Sequence, residues 1–232
     1  MRTLYIYICL FITLAGKTFS QNDSLLPVPP ESVLKDGIYL SFNDLKNNTP
    51  LPKENIITNS DKTQSDFIFK TLTDNKEIIF SYKGSQYRAE VNKVWGYCQN
   101  GIVSVNYLGK FSRITLFGTI SHFLATIMVT RYVSSGYGMG YGMGGMGMGG
   151  MGMGGPSVPV KQAETHEFLL DFKTGEIAEC TPTNLEVILG RDMKLYEQYM
   201  SLKKKKRKEF MLLYIRKYDN EHPVEFPVAS GQ

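Results

Sequence analysis

Three short strings in this chain carry the residue types of a serine acyl-transfer site: Ser32-Val-Leu-Lys35, Ser104-Val-Asn106 and Lys173-Thr174-Gly175. In that chemistry Ser32 would attack a carbonyl, Lys35 would take its proton, and Lys173 would hold a substrate carboxylate. Such strings count only in the right setting. Ser32 ought to open a buried helix but follows a Pro-rich stretch, and Lys173-Thr174-Gly175 reads as a hairpin tip instead of a sheet edge. The sequence assigns no catalytic residue, and a hydrolase would need a site assembled from residues far apart in the chain. His122, His166 and His222 are widely separated, His166-Glu167 has no second His four residues on, and no Cys or His pair has metal-site spacing. Each histidine reads as structural.

Two other residue types offer chemistry. Met139, Met143, Met146, Met148, Met151 and Met153 lie in a Gly-rich tract. Thioethers suit Cu(I), and this spacing lets several sulfurs converge on one ion. The plainer reading is a low-complexity repeat without a role. Cys98 and Cys180 form an even pair once Cys9 leaves with the leader described below. A disulfide between them would close a long loop, worth roughly 4 kcal/mol on the loop-entropy argument. Two buried free thiols are the alternative, and nothing in the sequence fixes the Cα separation that decides between them.

The N-terminus sets the compartment. Arg2 precedes the apolar run Leu4 to Leu14, and small or polar residues follow to Ser20. This is the anatomy of a secretory leader cut between Ser20 and Gln21, with an apolar core too short to span a bilayer. The chain is therefore expected in the periplasm or the medium. No Cys stands at the cleavage point, so no lipid anchor is expected. The formal net charge of +4 falls by two when Arg2 and Lys17 are removed. That balance, with Glu197, Glu209 and Asp219 diluting the Lys203 to Lys208 run, points away from nucleic acid. The partner left open is an envelope protein or a glycan.

The elements that must position these residues are mainly strands. Residues 21–35 read as a Pro-rich tether. Asp36-Gly-Ile-Tyr-Leu-Ser-Phe reads as a strand leading into one helical turn capped at Asn43-Asp44. Turn signals then recur about every ten residues. Asp74-Asn75 separates Phe67-Ile-Phe from Glu77-Ile-Ile-Phe, and Lys83-Gly84-Ser85 separates the latter from Gln86 to Val91. Asn100-Gly101 predicts a type I′ hairpin between 94–98 and 102–107, and Leu108-Gly109-Lys110 turns into 111–117. Residues 119–133 are long and free of acidic groups. Their Thr, Ser and His content and many β-branched residues favour two strands bent at Gly118 over a membrane helix. After a Gly/Met-rich loop at 134–160, strands resume at 166–172 and 176–180. Thr181-Pro182-Thr183-Asn184 opens a helix that Gly190 stops. From Asp192 the apolar residues keep a helical period, but Lys203 and Arg207 fall on the same stripe, which predicts a kink near Leu202 or a middle standing clear of the sheet.

The strings Asp36-Gly-Ile-Tyr-Leu-Ser-Phe with Asn47-Asn48-Thr49-Pro50, Lys93-Val-Trp-Gly-Tyr-Cys-Gln-Asn-Gly101, and Leu202-Lys-Lys-Lys-Lys-Arg with Tyr214-Ile-Arg-Lys-Tyr resemble an uncharacterised family of exported proteins from Gram-negative bacteria. The resemblance spans most of the mature chain and implies a shared fold and export, with no activity to transfer to any residue. The Gly/Met tract reads as an insertion private to this chain. Together these readings give an α+β fold of roughly eight strands: a curled, mainly antiparallel sheet over 36–181, covered by C-terminal helices over 182–232. The function expected is a non-catalytic binding or structural module, with Cu(I) binding by the methionine loop as the alternative.

Overall fold

A computed structural model of the protein describes residues 34–134 and 157–226. The leader, most of the tether and the six methionines of the Gly-rich tract lie outside the described residues. Among the described residues nine strands form, seven of them in one curled antiparallel sheet of order β1-β4-β5-β6-β7-β8-β9. These are β1 (Gly37–Tyr39), β4 (Gly96–Gln99), β5 (Ile102–Tyr107), β6 (Lys110–Leu116), β7 (Ile120–Ser134), β8 (Ser157–Asp171) and β9 (Ile177–Glu179). A separate hairpin pairs β2 (Glu77–Tyr82) with β3 (Ser85–Glu90). The expected α+β architecture, a hairpin meander with helices after it, is the one observed.

Turn chemistry sets the hairpins. Asn100 and Gly101 have φ of 54° and 74°, the left-handed pair that a type I′ turn requires. Lys83-Gly84 and Leu108-Gly109 repeat the pattern with a non-glycine first residue. The string that carries the resemblance is structural cement. Trp95 N donates to Tyr39 O at 3.1 Å, and Asn106 N donates to Trp95 O at 2.7 Å. A side chain at position 96 would run into the Ser104 carbonyl.

Three expectations need correction. Phe67–Asp74 is the helix α2, not a strand of a hairpin turning at Asp74-Asn75. Its buried residues Phe67, Ile68, Thr71 and Leu72 lie one helical turn apart in pairs, which a strand would scatter over both faces. Gln99 Oε1 accepts the Phe69 N–H at 3.0 Å, and the Asn75 side chain donates to Thr71 O, so each helix end gains a side-chain partner. The short helix α1 (Phe42–Lys46) is capped by Ser41 in a reciprocal box with Asp44, so the cap falls before the expected Asn43-Asp44 pair and Asp44 serves as the box's third helical residue. Pairing along β8 already begins at Ser157, inside the stretch read as loop.

Of residues 119–133, weighed as a membrane helix, all but Thr119 belong to β7; among the described residues no helix is long and apolar enough to cross a membrane. Thr181 caps α3 (Pro182–Leu189), with Pro182 at its first position. The predicted kink is a break: α4 (Met193–Met200) stops, Lys203 precedes α5 (Lys204–Glu209), and α6 (Met211–Glu221) follows. Arg207, the awkward cation on the packing stripe, reaches back to Glu186, and Tyr199 Oη donates to its carbonyl at 3.0 Å. The helices pack Leu185, Leu189, Leu195, Tyr199, Ile215 and Tyr218 on Ile120 and Leu169, covering one face of the β7–β8 pair. The opposite face of those strands carries Phe123, Ala125, Phe168 and Leu170 into a second core with Tyr39, Cys98 and Val105. Strand alternation thus gives β7 and β8 a helix face and an opposite face, each with its own residues.

Candidate functional site

The two faces hold different histidines. On the opposite face His166 Nδ1 lies 2.9 Å from Glu179 Oε1 and Nε2 lies 3.3 Å from Glu164 Oε2, with Arg131 bound to Glu164. Glu179 and then Glu164 raise the His166 pKa above its ordinary value, since both ring nitrogens find carboxylates as acceptors. His166 is an ion-pair node. His222 likewise clamps Asp192, the residue capping α4, at 2.8 Å. The structural reading of these two agrees with their partners.

His122, on the helix face, differs. It is 5% exposed, and its Nε2 is buried without a hydrogen-bond partner. The register of β6 against β7 shifts between Ile114 and Leu116, so Thr115 is an extra residue opposite His122. Bulges of this kind re-aim a side chain. Here Thr115 Oγ1 donates to the His122 carbonyl at 3.0 Å and stands 2.7 Å from Nδ1. A hydroxyl has one proton; given to the carbonyl, it leaves the oxygen to accept from Nδ1–H, and Nε2 keeps its lone pair.

Two more donors stand in front of that lone pair. Glu167 Oε2 is 3.5 Å from Nε2. Cys180 follows β9 and pairs with Glu167 through its backbone N–H, at 2.8 Å from Glu167 O. The ligand atoms of His122, Glu167 and Cys180 all lie within 4.8 Å of one another. Burial first, then the charges of Glu167 and Glu179, push the Cys180 thiol up to about 11, so it is a protonated thiol and a poor nucleophile at neutral pH.

Cys98 is free and buried in the other core, its thiol 3.4 Å from Asp36 Oδ1. Cys180 is free as well, and β5, β6, β7 and β8 stand between β4, which carries Cys98, and β9, which Cys180 follows. Of the acyl-transfer strings, Ser32 lies outside the described residues, and the other two stand apart: Ser104 is buried in β5, Lys173-Thr174-Gly175 forms the turn after β8, and β6 and β7 lie between those strands in the sheet. Glu77 and Glu90 face each other across the β2–β3 hairpin at the rim of a groove beside α2. Lys93 holds the Glu90 carboxyl below its usual range, the reverse of what a general acid needs.

The second functional candidate is a surface. From Met128↔Ala163 to Ser134↔Ser157, β7 and β8 pair only with each other among the described residues, a ribbon about 20 Å long. Met128 and Tyr132 are 61% and 73% exposed on one side, and Val133, Val158 and Val160 are exposed on the other.

Residues 37–222 match the family described as a family of unknown function (DUF6563), and the chain belongs to it. No curated protein and no solved structure matches the chain.

Proposed function

We propose that this family member is an exported, non-catalytic binding module that engages an apolar protein surface in the cell envelope through the β7–β8 arm. The arm carries the reading. A two-stranded ribbon is marginal in water on its own, and this one exposes large apolar side chains on both sides. Its edges are blunted by Arg131, Lys161 and Pro159, residues that discourage addition of a further strand. The partner is therefore expected to dock on the ribbon's faces. Export rests on the Arg2, Leu4–Leu14 and Ser20 leader pattern.

Photo-crosslinkers placed at Tyr132 and Val158, with Tyr82 as the control position, test both parts. The expected result is one shared adduct from the two arm positions, in the envelope fraction, lost in a chain whose arm is replaced by a short turn. An arm-deleted chain that folds and captures the same component equally well would refute the role of the arm. Recovery of the uncut precursor from the cytoplasm would refute export.

A further inference from the structure

We propose that His122, Glu167 and Cys180 form a binding site for a divalent metal of the zinc class, with three protein ligands and a fourth position open to solvent. The inference is independent of the arm. It starts from a conflict in the apo arrangement. With Nδ1–H given to Thr115, the lone pair of the buried His122 Nε2 faces the Glu167 carboxylate oxygen at 3.5 Å, so two acceptors confront each other and Nε2 has no hydrogen-bond partner. A cation between them resolves the conflict, and a thiol sulfur is already within reach.

The donor set suits the ion. Imidazole nitrogen, carboxylate oxygen and thiolate sulfur are the three ligand types zinc accepts, and three protein ligands with a vacant position is the pattern of non-structural zinc sites. Zinc–ligand lengths of about 2.0–2.3 Å put tetrahedral donors roughly 3.3–3.6 Å apart. The N···O separation already meets that, and the sulfur, within 4.8 Å of both, closes in when the ion binds. Thr115 supplies the orienting partner that metal-bound histidines generally have, fixing ring and tautomer, and it exists because of the bulge. Binding would displace the Cys180 proton to solvent, so affinity should rise with pH.

The neighbouring histidine shows why the cluster is selective. His166 has two carboxylates close by, but both of its nitrogens are already engaged with them. It offers no free lone pair. His122 offers one, aimed at Glu167 on β8 and at Cys180 just after β9.

The test is titration of the reduced, chelator-stripped protein with Co²⁺, followed by displacement with Zn²⁺. The expected result is one equivalent bound, with a thiolate-to-cobalt charge-transfer band in the near ultraviolet and the strong visible bands of a four-coordinate ion. Cys180→Ser should abolish the charge-transfer band, and Glu167→Gln should weaken binding. Thr115→Val, which touches no metal, should weaken it by about 10- to 100-fold. Cys98→Ser and Glu164→Gln should leave it unchanged. Should Cys180→Ser fail to fold, protection of Cys180 from alkylation by Zn²⁺ in the unaltered protein replaces it, with protection expected. Absence of the charge-transfer band, binding that Cys180→Ser leaves intact, or no protection would overturn the proposal. So would an NMR titration in which His122 merely takes a proton against Glu167 and is blind to Zn²⁺.

Discussion

Asp219 on α6 should make the protein weaken as the pH rises through neutrality. Its carboxyl lies under Gly118 and accepts the Ile120 N–H at 2.8 Å. Burial, opposed by the N–H groups of Ile120 and Thr119, lifts its pKa from 3.8 to about 7. A pKa raised on folding means that the folded state holds the proton more tightly than the unfolded chain. The resulting stability is complete below about pH 4 and is lost progressively as pH climbs toward and through 7. Each unit is about 1.4 kcal/mol, so the full window amounts to roughly 4 kcal/mol and the part between about pH 5 and pH 8 to about 2–3 kcal/mol after allowance for partial exposure of the residue. Asp219→Asn retains an acceptor for Ile120 and carries no charge at any pH. Urea unfolding of both proteins at the two pH values should show the variant gaining about 2–3 kcal/mol relative to the parent as pH rises. A stability difference that does not change with pH, or an Asn variant that becomes relatively weaker at pH 8, would refute the assignment.

Gly118→Ala should cost about 3 kcal/mol, because its Cβ would overlap the Asp219 carboxylate; Asp219→Ala in the same chain should recover most of the loss, measured as a double-mutant cycle. Asp171 is buried and holds Arg191 through two oxygens at 2.9 and 2.5 Å. Burial alone would raise its pKa, but Arg191, the Lys173 N–H and Thr174 bring it below the ordinary range, so this contribution holds above about pH 4 and disappears below it. Arg191→Ala should destabilise by about 3–5 kcal/mol at neutral pH, read by thermal or urea unfolding. His166 should remain protonated past its ordinary titration range, by NMR of the ring, and Glu179→Gln should lower its pKa more than Glu164→Gln. Whatever stability it adds is present at low pH and fades as pH rises through the folded value.

The meander was legible because its turns are local. Asn100-Gly101, Lys83-Gly84 and Leu108-Gly109 each need positive φ at both residues, and that demand is written in two adjacent letters. The cap of α3 was legible for the same reason, Thr181 with Pro182 at the first helical position. The segment 67–74 misled because Phe-Ile-Phe is strand-like in composition, while the decision lies in spacing: Thr71 and Leu72 complete the helical face four residues after Phe67 and Ile68. The break near Leu202 was readable from the cations on the stripe. That Arg207 stays on the packing side was not, because Glu186, which neutralises it, lies on another helix.

The His122 cluster escaped motif reading for a definable reason. Half of it is local: the turn at Lys173-Thr174-Gly175 pairs Leu170 with Ile177 and Phe168 with Glu179, which puts Cys180 opposite Glu167 by counting outward. The other half is not. The register of β7 on β8 spans the long connection from Ser134 to Ser157, and a connection of that length leaves open which residue of β7 faces Glu167. One step of slip would send His122 to the opposite face, away from both ligands. The bulge at Thr115, which secures the tautomer, leaves no mark in composition. A site whose ligands come from two strands and the residue after a third is therefore invisible to spacing rules built for ligands on one helix or one loop, and its existence depends on register. For that reason Thr115→Val, which changes neither a ligand nor a charge, separates a site built by register from a chance meeting of polar side chains.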